Sequence, residues 1–191
     1  MFLSKLTAMK EDTIVQFECF ETTIEPDEFV LRWEHYAKRL ASKDIEVTLQ
    51  QQTGIKNRFK YVSQHKWPQD NFRFVFMKGR YSENFPECNV KVIQAGGYAP
   101  VQIECIHDTD EDDVKIMLFT SRAETDISFY KQLSSYRYLN IYQAYYESSL
   151  YAYILEFFVE QIHARELIRQ IKTQTADTEI GMYKECLVLD E

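Results

Sequence analysis

Glycine and proline are scarce, five and four in 191 residues, which leaves little room for flexible linkers or disordered tracts. Basic charge is also short. The 22 Lys and Arg against 30 Asp and Glu give a net charge of −8, which argues against nucleic acid, since that affinity comes from phosphate neutralisation. No apolar run approaches the roughly 20 residues of a membrane span. The start of the chain, Met1 to Thr7, lacks the apolar core of a signal peptide. Cys19, Cys88, Cys105 and Cys186 form no CxxC pair or metal-ligand cluster, so reduced, half-buried thiols in a cytoplasmic protein are expected. His35, His107 and His163 are scattered, and no spacing joins them into a metal site. The acids between Asp108 and Asp113 lack the Gly and terminal Glu of a calcium loop and suit a helix start better.

Aromatic residues are abundant, with 13 Tyr and 13 Phe. Tyr supplies large apolar area with a hydroxyl that needs a partner, which suits lined cavities and interfaces as well as cores. One internal match is present: Val15-Gln16-Phe17-Glu18-Cys19-Phe20 recurs as Val101-Gln102-Ile103-Glu104-Cys105-Ile106.

The elements after each copy are expected to run in the same order. After the first, Pro26 with Asp27 and Glu28 marks a helix start, and Phe29, Trp33, Tyr36 and Leu40 recur at helical spacing. Strands at 45–50 and 58–66 form a hairpin, a short helix is expected at 69–78, and Val90 to Ile93 is a fourth strand. After the second copy, a helix is expected at 110–121, where Thr109 resembles a cap and Val114, Met117 and Leu118 form its buried stripe. Strands at 127–132 and 136–145, a long helix from Glu147 toward Lys172 and a strand at 182–189 complete the set. The order β-α-β-β-α-β is the ferredoxin-like split β-α-β unit. The expected fold class is therefore α+β, with two ferredoxin-like repeats at residues 10–98 and 99–191 forming an intrachain dimeric α/β barrel.

Tyr136-Arg137-Tyr138-Leu139-Asn140-Ile141-Tyr142 followed by Tyr145-Tyr146-Glu147-Ser148, and Phe59 to Trp67 before a helix, resemble antibiotic-biosynthesis-monooxygenase-type dimeric α/β barrels. Trp67 stands where that family often ends its third strand with Trp. The resemblance implies a cofactor-free, monooxygenase-like activity on a small aromatic molecule. The family's haem degraders carry an Asn on the first strand and a His on the second helix. Gln and Glu replace the Asn here, and 69–78 has no His, so haem degradation is not expected.

Strand alternation assigns the faces. Val15, Phe17 and Cys19 share one face and should pack on helices, as should Val62, Leu139 and Ile141. The polar alternates should face the barrel interior: Gln16, Glu18, Gln102, Glu104, Tyr61, Ser63, His65, Trp67, Tyr138, Asn140 and Tyr142. Such a lining suits a small-molecule site. His65 or Glu18 would act as general base, and the others would hold substrate. No metal or organic cofactor is expected. The partners are a small-molecule ligand and, at most, a second copy of the chain beyond the internal pseudo-dimer. The alternative is a non-catalytic barrel that binds a small molecule or a protein partner.

Overall fold

The computed structural model describes residues 13–41, 45–55, 57–68, 89–105, 112–121, 127–133, 135–145, 149–174 and 178–189. The side chains at 39–41, 94, 102–105 and 174 lie outside that description, as does the helix expected at 69–78. In chain order the elements are β1 (Thr13–Thr22), α1 (Pro26–Ala41), β2 (Glu46–Thr53), β3 (Tyr61–Pro68), β4 (Val90–Cys105), β5 (Asp113–Thr120), α2 (Ile127–Lys131), β6 (Tyr138–Ala144), β7 (Tyr153–Glu160), α3 (Ala164–Gln174) and β8 (Thr178–Leu189). The strands close in the order β1-β3-β2-β8-β5-β7-β6-β4, and every described pairing is antiparallel. No described helix is long and apolar enough to cross a membrane.

This overturns the expected class. The protein is a closed eight-stranded antiparallel barrel, mostly sheet, with three described helices, rather than two β-α-β-β-α-β repeats forming an α/β barrel. The physical cause lies in strands buried on both faces. The helix expected at 110–121 is strand β5, whose Ile116 and Leu118 pack outward while Met117 and Phe119 fill the barrel. Such a strand reads as a continuous apolar run, and a continuous run satisfies a helical template as well as a strand one. In the same way, the earlier part of the expected long helix contains β7, while its later part is helical as α3, and the expected strand at 127–132 is α2.

α1 does form as expected. Pro26 opens it, Asp27 and Glu28 lie in its first turn, and Phe29, Trp33 and Ala37 bury one stripe. β4 runs unbroken through the boundary expected at 98/99. Its first part pairs with β1 and its later part with β6, and β8 bridges β5 and β2 in the same manner. Gly96 allows β4 to turn at its bulge. Its φ is 117°, and a Cβ there would sit 2.5 Å from Ser149 Oγ.

Four strands follow the neighbour order β4-β1-β3-β2 and the other four β8-β5-β7-β6. The strand that matches β1 is therefore β5, and Val101 lies in the later part of β4, so the recurring hexapeptide does not mark equivalent strands. Register then matches residues across the halves. Phe17 faces Gln64 and Gln64 faces Thr48 in the first half, as Met117 faces Glu156 and Glu156 faces Asn140 in the second.

Candidate functional site

Cross-strand partners share a face of the sheet, so the ladder between β1 and β3 defines two surfaces. Val15, Phe17, Cys19 and Val62 turn inward and pack with Met117, Phe119, Tyr142, Ile154 and Tyr183. Ile14, Phe20, Tyr61 and Trp67 turn outward and pack with Phe29, Trp33 and Ala37 of α1. Gln16, Glu18, Ser63 and His65 alternate with the inward set and so share the outward face. The expected orientation is thus inverted in the first half, for both the polar residues and Val62. A closed barrel must fill its own centre, and β1 and β3 turn Val15, Phe17, Cys19 and Val62 into it.

The outward polar group is compact and buried. Gln16 is 5% exposed, Glu18 2%, and Ser63 and His65 0%. Gln16 Nε2 donates to Glu18 Oε1 at 3.3 Å. Ser63 stands directly opposite Glu18 in the ladder and hydrogen-bonds its carboxyl. Ser63 Oγ lies 3.1 Å from His65 Nε2, which in turn lies 3.7 Å from Glu18 Oε2. Burial raises the Glu18 carboxyl from 4.5 to about 7, with Ser63 pulling weakly the other way. Burial lowers His65 from 6.5 to about 3. The contact is therefore a neutral imidazole beside a carboxyl poised near neutrality, not an ion pair.

Several polar atoms on this face have no hydrogen-bond partner among the described residues: Gln16 Oε1, His65 Nδ1, Tyr61 Oη and Trp33 Nε1. Unpaired buried groups are costly and uncommon, and they cluster where a ligand or a reaction uses them. Trp33 was legible only as a helix-face residue, and nothing in its spacing signalled an orphaned N–H.

The remaining expected site residues lie elsewhere. Asn140 and Tyr142 face the barrel interior as expected. Asn140 Nδ2 donates to Glu156 Oε2 at 3.1 Å and Tyr142 Oη donates to the same oxygen at 2.9 Å. Burial drives the Tyr142 hydroxyl well above its ordinary range. Gln64 Nε2 crosses the barrel to Glu156 Oε1, and Lys115 Nζ stands 3.7 Å from that oxygen. Tyr138 lies on the interior register and its ring meets Phe158 edge-on at 5.6 Å. Leu139 and Ile141 pack outward on α2 and α3, as expected. The backbones of Gln102 and Glu104 pair with Ile141 and Leu139, and their side chains lie outside the described residues. One expected cavity is thus two separate polar clusters on opposite faces of the sheet. Gln64 and Glu156 were missed. The signal available was a lone acid within the apolar run of β7.

The match between halves isolates the first cluster. Where the first half places Gln16, Glu18, Ser63 and His65, the second places Ile116, Leu118, Leu155 and Phe157. All four of those are fully buried in the core beneath α2 and α3. The architecture itself does not call for polar side chains at these positions.

Among the described residues no group of three or more His, Cys, Asp or Glu is placed to hold a metal ion. His35 and His163 are exposed, and β1 presents Gln16 and Glu18 in place of the haem degraders' Asn. The described residues do not fit a haem pattern.

No protein-family model matches the chain, and no curated protein matches it. Solved structures do. An anthrone oxidase-like protein aligns over 95% of this chain and 94% of its own, at 8% identity and a TM-score of 0.56. A mutant chlorite dismutase from Candidatus Nitrospira defluvii aligns over 92% of each chain, at 8% identity and a TM-score of 0.58. The same dismutase in complex with imidazole aligns at 9% identity and 0.57. At such identities the likeness is one of fold: this chain shares its barrel with proteins named for oxidative chemistry.

Proposed function

We propose that the chain is a small-molecule enzyme of oxidative type. It resembles the antibiotic-biosynthesis monooxygenases and acts without metal or organic cofactor on a small phenolic or related aromatic molecule. The observation that carries this reading is the buried Glu18–Ser63–His65 cluster, with a carboxyl raised to about 7 and a neutral imidazole. A base poised near neutrality suits removal of a weakly acidic proton. The resulting aromatic anion is electron-rich enough to give electrons to oxygen. For a ring methylene the balance is CH2 + O2 → C=O + H2O: two C–H bonds break, one oxygen enters the product, and the other leaves as water. Gln16, Tyr61 and Trp67 line the same face and would hold the substrate. Oxygen uptake is measured with anthrone and a panel of phenols and quinols. Uptake abolished by His65→Ala and by Glu18→Gln is the expected result. No uptake across the panel removes the reading.

A second reading, a non-catalytic barrel that binds a small molecule or a partner, is favoured by the filled barrel centre. Phe17 meets Tyr98 and Tyr142 edge-on at 5.4 and 5.2 Å, and Phe59 meets Phe119 at 5.5 Å. The interior expected to be an open site is at this level a packed aromatic core.

A further inference from the structure

His65 presents a difficulty for any acid–base role. A fully buried imidazole that resists a second proton down to about pH 3 is a poor base if accepting a proton means becoming an imidazolium. The hydrogen-bond geometry offers a route that avoids the charged form. A serine hydroxyl carries one proton, and Ser63 Oγ touches both the Glu18 carboxyl and His65 Nε2. When Glu18 is ionised, Ser63 donates to it, so Nε2 must carry the hydrogen and donate to Ser63. Nδ1 is then a bare acceptor. When Glu18 is protonated, it donates to Ser63, Ser63 donates to Nε2, and the hydrogen moves to Nδ1.

We propose that Glu18, Ser63 and His65 form a proton relay, in which His65 Nδ1 meets the substrate and Glu18 is where the proton comes to rest. This rests on the reading of the outward face of β1 and β3 as the reaction site. A substrate proton binds Nδ1, the Nε2 proton passes to Ser63 Oγ, and the Ser63 proton passes to Glu18 Oε2. One X–H, one N–H and one O–H bond break, and one N–H and two O–H bonds form. The imidazole is neutral at the start and the end, and the negative charge moves from Glu18 to the substrate. His65 Nδ1 is the ring nitrogen left without a described partner, as a substrate-facing atom requires. Gln16 occupies Glu18 Oε1 and leaves Oε2 turned to the relay.

No other described charge faces the relay. β2 contributes Val47 and Leu49 beside it, and α1 contributes Phe29, Trp33 and Ala37 to the same face. The other titratable groups packed on that face are Tyr61, Tyr36 of α1, Tyr145 and Cys186 of β8, whose thiol burial raises to about 11. Cys19 points to the other face, kept as a thiol by burial. In the second half Leu118, Leu155 and Phe157 take the three positions, so packing alone does not account for the chemistry of the first.

The test needs no substrate. Both ring nitrogens of His65 are followed by 15N NMR, and the Glu18 carboxyl by 13C NMR, as pH is varied from about 5 to 9. The expected result is a tautomer switch, from Nδ1–H at low pH to Nε2–H at high pH, with the same midpoint as Glu18. Ser63→Ala should leave Glu18 titrating while the tautomer no longer follows, and Ser63→Thr should keep the switch. One tautomer throughout, an imidazolium forming at the Glu18 midpoint, or a switch that survives Ser63→Ala overturns the relay. Absence of oxygen uptake with the switch intact would instead count against the proposed reaction alone.

Discussion

Leu118, Leu155 and Phe157 in the second half of the barrel hold the ladder positions of Glu18, Ser63 and His65 in the first. The second half is what this architecture looks like when the face under the helices serves only as core: Ile116, Leu118, Leu155 and Phe157 pack continuously with Leu167, Ile168 and Ile171 of α3. The first half keeps four buried polar residues at the same places and leaves Gln16 Oε1 and His65 Nδ1 without a partner among the described residues. Inside the barrel the polar chemistry is different again. Gln64 and Glu156, matched in register, meet across the centre and are braced by Asn140 and Tyr142. The interior network gathers Gln64, Asn140, Tyr142 and Lys115 around its acid, although Thr48 Oγ1, Asn140 Oδ1 and both amide atoms of Gln50 have no described partner there. The outward one instead sets its acid beside a serine and a neutral imidazole.

The sharpest way to break the comparison is to make the second half resemble the first. Leu118→Glu would bury a carboxylate with no serine or amide beside it. A loss of about 3 to 5 kcal/mol is expected above neutral pH, read from urea midpoints. A loss below about 1 kcal/mol would mean that the second-half face tolerates charge and that the contrast is not physical.

The reverse change should stabilise. In the fold the Glu18 carboxyl rises from 4.5 to about 7, so between those values the folded chain holds a proton that the unfolded chain releases. Its contribution to stability is full below 4.5 and falls as pH rises through 7. Above that, ionised Glu18 costs about 3 kcal/mol. Glu18→Gln should therefore be more stable than the parent by about that amount near pH 8, with the gain fading toward pH 4.5. His65, lowered from 6.5 to about 3, works in the opposite sense, its contribution being lost as pH falls below 6.5. It is present in both proteins and cancels in the difference.

How much of this was legible in the sequence follows from the same burial pattern. α1 was readable because one stripe is buried and the other wet, and Pro26 marks its start. β5 and β7 were not, because residues on both faces are buried and alternation disappears. Glu18, Ser63 and His65 could be grouped from strand periodicity alone, since it puts Ser63 and His65 on one face of β3. Which side that face would take could not be read, because an apolar residue serves equally well inside a closed barrel and beneath a helix. The matching hexapeptide misled for a related reason: β1 and the later part of β4 share a composition without sharing a place in the barrel.

Smaller effects sharpen the interior side of the comparison. Glu156→Gln keeps the shape but turns one acceptor into a donor facing Gln64 or Tyr142 and Asn140. A loss of roughly 1 to 3 kcal/mol is expected, visible as a lowered urea midpoint. Tyr61→Phe removes a buried hydroxyl that has no described partner, so the variant should be as stable as the parent or more stable, by up to about 1 kcal/mol in thermal unfolding. A large loss there would reveal a structural bond for that hydroxyl and take Tyr61 out of the site.

The most direct measurement is the 13C-detected pH titration of the Glu18 carboxyl in the folded protein. A buried, uncompensated carboxyl held by Ser63 and Gln16 should titrate near 7. A midpoint near the ordinary 4.5 would mean that the carboxyl is solvated or ion-paired, and the first half would then lose the feature that distinguishes it from the second.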